Sequence, residues 1–376
     1  MQEQKRYYWL DWLRFAAAFM VLACHARWGN WSAWRNLEEH YKNGFSWAFF
    51  AVTRPALEAV VVFFVLSGFL VGGKALEKIR KGTFDEKAYV VDRVSRIYLP
   101  LLPALLFSTV ITLICGGKVS VMEFLGNVFS LQGLFCASFA GNAPLWSLAY
   151  EVWFYLLAAF VALSFASSHR VRVIALLGVA LTFVVFTKLD ASMLFCWCLG
   201  AISYTLLLRG FSWICFSFGA LFVLAGCGLI QILSESILVN AKLSDSLMPS
   251  RPAATLILGL GLAFIIPSLA QLKPRSRTLT CLEGAGTKLA AFSYTLYLTH
   301  YPLLQLWDSY VHEKFVTLDF HTLLYYAAKL TSCLLVAWLL YLPFEAQTAR
   351  VRDLMRRRWV AHSTASAFAQ PTKARE

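Results

Sequence analysis

Ten apolar runs alternate with polar segments along the chain, at residues 9–26, 54–73, 98–115, 144–166, 171–187, 191–208, 211–233, 252–271, 288–308 and 322–344. Most approach about 20 residues, the length of an α-helix that crosses the hydrocarbon core of a bilayer. The pattern predicts an all-α fold, a polytopic membrane helical bundle of about ten transmembrane helices. Ten spans place both termini on one side. With the N-terminus inside, 23 of the 34 Lys and Arg fall in inner segments and 9 in outer ones. Lys and Arg concentrate in cytoplasmic loops, so both termini are expected in the cytoplasm. Residues 1–345 then form the transmembrane domain. Residues 346–376 form a cytoplasmic tail, basic first (Arg350, Arg352, Arg356, Arg357, Arg358) and Ser/Ala-rich after, expected to be disordered and to meet anionic membrane lipid.

Composition supports this reading. A chain with 59% hydrophobic and only 15% charged residues cannot hide its apolar surface in a soluble fold, nor stay disordered. The net charge of +13 follows from the loop bias, and without a nucleic-acid module no nucleic-acid partner is expected. The nine cysteines are odd in number and lie mostly inside apolar runs, which favours packing over a disulfide framework. Cys196-Trp197-Cys198 has no His or carboxylate beside it, so no metal is expected. The first run contains Asp11 and Arg14 and lacks a small-residue cleavage site, so it reads as a retained span. Neither a short repeat nor an inverted duplication is visible.

Ionisable residues inside spans are costly and mark candidate sites. Arg14 and His25 of the first span lie eleven residues apart, so they share a helix face about 16 Å apart along the axis. Asp11, one turn before Arg14, is placed to pair with it. Lys329 also falls within a span. Alone, each of these two first-span residues reads equally as a functional residue or as a structural one, Arg14 as a snorkelling arginine and His25 as an interfacial histidine. The second span ends in Ser67-Gly68 and Gly72-Gly73, small enough for close helix approach. Lys74 opens the most basic loop, which closes with Arg93 and Arg96 one turn apart. That spacing suits a phosphate or carboxylate, although by itself it reads first as a simple orientation signal. Glu151 sits about 10 Å inside the fourth span and needs a partner or a wet cavity. Ser293, Tyr297 and His300 lie at i, i+4 and i+7 on one face of the ninth. Two histidines and one glutamate from three spans, at related depth, point to a site.

Five segments carry a resemblance: LDWLRFAAAFMVLACH (10–25), FFVLSGFLVGGK (63–74), RVSRIYLPLLP (93–103), LWSLAYEVWFY (145–155) and SYTLYLTHYPL (293–303). Together they resemble the acyltransferase 3 family of integral membrane acyltransferases, which modify saccharides of the bacterial envelope and secreted saccharides. Residues 171–271 match it only in hydropathy. The resemblance implies a ten-span enzyme of the bacterial cytoplasmic membrane that takes an acyl group from cytoplasmic acyl-CoA. The family's first-span arginine and histidine and its RxxR fall on Arg14, His25, Arg93 and Arg96.

Chemically, acyl transfer to a hydroxyl needs a base, an oxyanion stabiliser and a donor anchor. His25 is the candidate base, with Glu151 and His300 as further catalytic candidates. Arg14, Lys74, Arg93 and Arg96 are candidates for binding acetyl-CoA or another acyl-CoA. Ser293, Tyr297, Trp146 and Trp31 are candidates for the saccharide or glycolipid acceptor. Trp31 belongs to an aromatic outer loop that suits either sugar stacking or an interfacial belt. The alternative function is a transporter or flippase of a lipid-linked saccharide or small anion, using the same buried charges as a pathway; a catalytically silent sensor is a third.

Overall fold

The computed structural model describes residues 7–207, 210, 212–239, 250–272, 277–311 and 314–368. Among them there is no strand, only helices and their connections. Helix α1 is Tyr8–Asn30, α2 Gly44–Val52 and α3 Ala56–Ser67, which continues through a π-helical segment, Gly68–Gly73, into α4, Lys74–Arg80. Next come α5 Glu86–Ile114, α6 Val121–Val128, α7 Trp146–Leu163, α8 His169–Phe186, α9 Ala191–Leu207 and α10 Trp213–Val239. The last five are α11 Arg251–Leu269, α12 Arg277–Ala291, α13 Ser293–Asp308, α14 Phe320–Tyr341 and α15 Thr348–Phe368.

Eight helical stretches among the described residues are long and apolar enough to cross a membrane. They carry eight of the ten predicted runs. The sixth falls on α9, apolar but 17 residues long, and the ninth on α13, 16 residues long. α13 is short and comparatively polar because it is enclosed by protein: Ser293, Thr295, Tyr297, Thr299 and His300 are all buried on it. It packs against α1, α5 and α14. The outward faces, by contrast, present bare aliphatic and aromatic side chains such as Leu113, Leu177, Phe183, Leu224 and Leu339. So much exposed apolar surface is what a lipid-facing bundle needs. The chain is thus a multi-pass membrane protein. Of the cations used to orient it, Lys5, Arg6, Arg209, Lys242, Lys273, Arg275, Lys373 and Arg375 lie outside the described residues.

Close approach at the π-helical segment comes from glycine. A Cβ on Gly68 would overlap the Trp197 carbonyl of α9, and one on Gly200 would overlap the Val65 carbonyl of α3. Small residues at such a crossing let two backbones touch. Long helix α5 starts at Asp85, whose carboxylate accepts from the Ala88 N–H at 2.9 Å. This N-cap begins the helix about two turns before Arg93. The arginines therefore lie on the inner face of a helix, not in a loop.

The tail departs from expectation. Instead of being disordered, residues 348–368 are helical, and α15 packs along α5. Arg356 Nη2 donates to Asp92 at 2.8 Å, which gives the basic segment a fixed counter-charge on the bundle. Residues 369–376 lie outside the described residues.

Candidate active site

Helices α1, α3, α4, α5, α7, α13 and α15, with the π-helical segment, line a cavity of about 360 Å³. Each brings a residue for a local reason. Arg14 stands one turn from Asp11, with Nη1 3.8 Å from Oδ1. Lys74, at the end of the π-helical segment, lies over the Tyr7 ring at 5.7 Å. Arg93 stacks over Tyr155 at 5.1 Å and Tyr89 at 5.7 Å, and its Nε is buried without a hydrogen-bond partner. Arg96 lines the wall one turn further into α5. Across the cavity, Glu151 accepts a hydrogen bond from the Tyr155 hydroxyl, one turn along α7. The wall thus holds Arg14, Lys74, Arg93, Arg96 and Arg352 against two carboxylates, Asp92 and Glu151. Asp92 is already engaged by Arg356. The surplus of positive charge in a site with apolar walls suits an anionic group.

Toward the other end of α1, His25 and His300 meet. Nδ1 of His25 is 2.9 Å from Nε2 of His300, and the rings stack at 5.2 Å with 5° between their planes. Nδ1 of His300 is 3.0 Å from the Leu296 carbonyl. A carbonyl only accepts, so that nitrogen carries the proton, and Nε2 of neutral His300 is then an acceptor. His25 Nδ1 must donate to it. The lone pair of His25 is therefore left on Nε2, which has no hydrogen-bond partner among the described residues. Trp28 and Tyr301 flank the His25 ring at 5.6 and 5.3 Å.

Tyr297 joins the two levels. Its hydroxyl shares a 2.7 Å hydrogen bond with Ser147 and lies 3.2 Å from the Pro144 carbonyl. Its ring is 6.0 Å from that of His300. Both Tyr297 and Ser147 line the cavity. A polar path thus leads from Arg93 and Arg96 past Tyr155 and Glu151 to Ser147 and Tyr297, and ends at the histidine pair.

The structure brings together Arg14, Lys74, Arg93, Arg96, Glu151, Ser293 and Tyr297 around one cavity, and His25 with His300 beside it. Three expectations need correction. Glu151 does not join the histidines: it accepts from Tyr155 and lines the cavity with the arginines. Trp31 is fully buried, its Nε1 donates to the Thr317 carbonyl at 2.7 Å, and Phe49, Phe50, Phe315 and Tyr326 surround it. No sugar reaches that ring. Trp146 lies edge-on to Phe64 and Tyr150 and is not part of the cavity wall, because its helix turns Ser147 inward instead.

Sequence reasoning missed Tyr294, Ser147 and Arg352 on the wall. It also missed Glu345, whose Oε2 accepts from both the N–H and the hydroxyl of Thr295, at 3.0 and 2.6 Å. Glu345 carried a signal: it is the single acidic residue between the last span and a run of arginines.

A family model described as an acyltransferase domain, that of the acyltransferase 3 family, matches residues 7–342. That range takes in every cavity residue named above except Arg352. Comparison with curated proteins and with solved structures returns no match.

Proposed function

The chain belongs to the acyltransferase 3 family, a membrane enzyme that transfers acyl groups, and from that premise we propose that it moves an acyl group, acetyl in the first instance, from cytoplasmic acyl-CoA to a hydroxyl of an envelope or secreted saccharide in the bacterial cytoplasmic membrane. The observation that carries this reading is the pairing of a cation-rimmed cavity with a histidine pair whose free nitrogen is fixed.

The phosphates of the donor suit Arg93, Arg96 and Lys74, since guanidinium forks and an ammonium bind phosphate oxygens strongly. Arg14 lies between that level and the histidines, about 16 Å along α1 from His25 by helix rise. An extended pantetheine arm is the part of acyl-CoA suited to span this distance with its thioester foremost. In the transfer, the acceptor oxygen attacks the thioester carbonyl while His25 Nε2 takes the hydroxyl proton. The carbon–sulfur bond then breaks, the acyl group stays on the acceptor oxygen, and the proton passes to the departing thiolate. His300 holds the His25 ring through Nδ1–H and leaves Nε2 unprotonated until the reaction needs it. Tyr297 and Ser147 supply hydroxyls near the turning point, where negative charge develops on the carbonyl oxygen. Glu151 is paired with Tyr155 and supports the arginine wall.

The test is CoA release from acetyl-CoA by the purified protein in lipid nanodiscs, with and without saccharide acceptor. Thiol release that depends on acceptor, and product carrying the acyl group by mass spectrometry, is the expected result. Transport of acceptor without any thiol release would overturn the proposal.

A further inference from the structure

The matched family region ends at residue 342, yet the cavity wall continues beyond it. Thr348 and Arg352, one turn apart on α15, both line the cavity beside Arg93 and Asp92. Two anchors hold them there. Glu345 accepts from the N–H and hydroxyl of Thr295 in the first turn of α13, and the Thr348 hydroxyl donates to the Glu345 carbonyl at 2.6 Å. One turn beyond Arg352, Arg356 Nη2 donates to Asp92 at 2.8 Å. A helix fixed at both points is a wall, not a trailing segment.

The charge pattern of this wall is specific. Asp92 is shared, with Arg352 Nε also 3.8 Å away. Arg352 Nε lies 3.3 Å from Asp353, its exposed neighbour. Both contacts use the Nε of Arg352. Among the described residues, its Nη1 and Nη2 have no hydrogen-bond partner, although its side chain is two-thirds buried. A guanidinium held by Nε, with its terminal nitrogens open to a cavity already rimmed by Lys74, Arg93 and Arg96, is arranged to take an oxyanion.

We propose that α15 is the outer wall of the donor site and that Arg352 is a further phosphate ligand for the donor, contributed by the tail. The proposal rests on the acyl-CoA reading above. It assigns the C-terminal segment a direct part in substrate binding, where its basic character alone reads as lipid anchoring.

The experiment measures CoA binding to the full-length purified protein by calorimetry, together with kcat/KM for acetyl-CoA and for acetyl-pantetheine, which lacks the nucleotide and its phosphates. Losing one charge-assisted contact is expected to weaken CoA binding about tenfold or more in Arg352→Ala. The ratio of kcat/KM between the two donors should fall by the same factor, and Arg352→Lys should restore part of it. Arg352→Gln, which keeps most of the side chain's length, serves if the alanine variant does not fold. Wild-type CoA affinity and an unchanged donor ratio in folded variants would overturn the proposal and leave Arg352 as a lipid contact. A wild-type protein that neither binds CoA nor releases it from acetyl-CoA would instead overturn the acyl-CoA reading itself.

Discussion

His25 Nδ1 lies 2.9 Å from His300 Nε2, and a third atom decides which way that hydrogen bond runs. The Leu296 carbonyl, 3.0 Å from His300 Nδ1, requires a proton there, so His25 donates to His300 and keeps its lone pair on Nε2. Helix α13 thus selects the tautomer of a residue on α1. The same helix carries Tyr297, which faces the cavity, so one element fixes both the base and the route to it.

From this arrangement, His25→Gln should lose roughly 10²–10⁴ in kcat, the usual contribution of a positioned base, while CoA affinity stays near wild type. His300→Gln should lose less than His300→Ala, because a glutamine carbonyl can still accept from His25 Nδ1–H. Wild-type activity should fall as pH is lowered, since a protonated His25 has no lone pair to offer. Near-normal turnover in His25→Gln, measured by thiol release, would move the base elsewhere.

At the cavity rim, Arg96→Ala and Arg93→Ala should each raise the KM for acyl-CoA by about tenfold or more, the effect of losing a charge-assisted contact of about 1.5–3 kcal/mol, with acceptor KM little changed. Arg93→Lys should recover little. Lysine keeps the charge but loses the planar stack that Arg93 makes over Tyr155 at 5.1 Å and its bidentate fork. Equal donor and acceptor effects would count against a donor-specific role.

The parts of this site that sequence makes legible share one property: helix periodicity. Arg14 and His25 lie on one face at eleven residues' spacing, and Ser293, Tyr297 and His300 follow one stripe of α13; the structure uses both sets. Sequence groups Glu151 with the histidines because depth along a span does not tell which neighbour a side chain meets; its partner, Tyr155, lies one turn along the same helix. Trp31 misleads for a different reason. Tryptophan suits a membrane interface and a protein core equally, and what buries it is long-range. The segment after α13 returns to it, with Phe315 N–H donating to the Asn30 carbonyl at 2.8 Å and Glu38 N–H to the Val316 carbonyl at 2.9 Å. The tail escapes because arginine runs serve orientation, and only Asp92, more than 250 residues away, reveals their second partner.

Topology offers an independent check. Single cysteines on a cysteine-free background should react with an impermeant thiol reagent from outside at residues 27–53 and 309–321, and from inside at 74–97 and 346–376. The buried Trp31 position should react poorly on either side, unlike exposed Trp28 and Trp47. Outside labelling within 74–97 would place the cation-rimmed cavity on the wrong face for a cytoplasmic donor.

A second buried charge tests what holds the histidine-bearing helices in register. Lys329 of α14 is fully buried. Its Nζ donates to Asp308, at the end of α13, and to Asn30 Oδ1, at the end of α1, at 2.7 Å. It also lies 5.4 Å from the centre of the Tyr325 ring. One ammonium therefore clamps the ends of the two helices that present His25 and His300. Removing one partner of a buried ion pair strands the other, at a cost of about 3–5 kcal/mol when both are buried. Asp308 is partly exposed, with side-chain exposure of 39%, so Asp308→Ala should fall near the lower end, about 3 kcal/mol. Lys329→Met, which removes the charge and keeps an unbranched chain of similar length, should cost less. The two effects should not add, since each removes the same interaction. Thermal unfolding of the purified variants reads the stability, and thiol release reads the site. If the clamp sets the register, Asp308→Ala lowers turnover beyond what its unfolded fraction explains, although Asp308 is not part of the cavity wall. Additive losses with normal turnover in the folded fraction would mean the pair stabilises the end of the bundle without positioning the histidines.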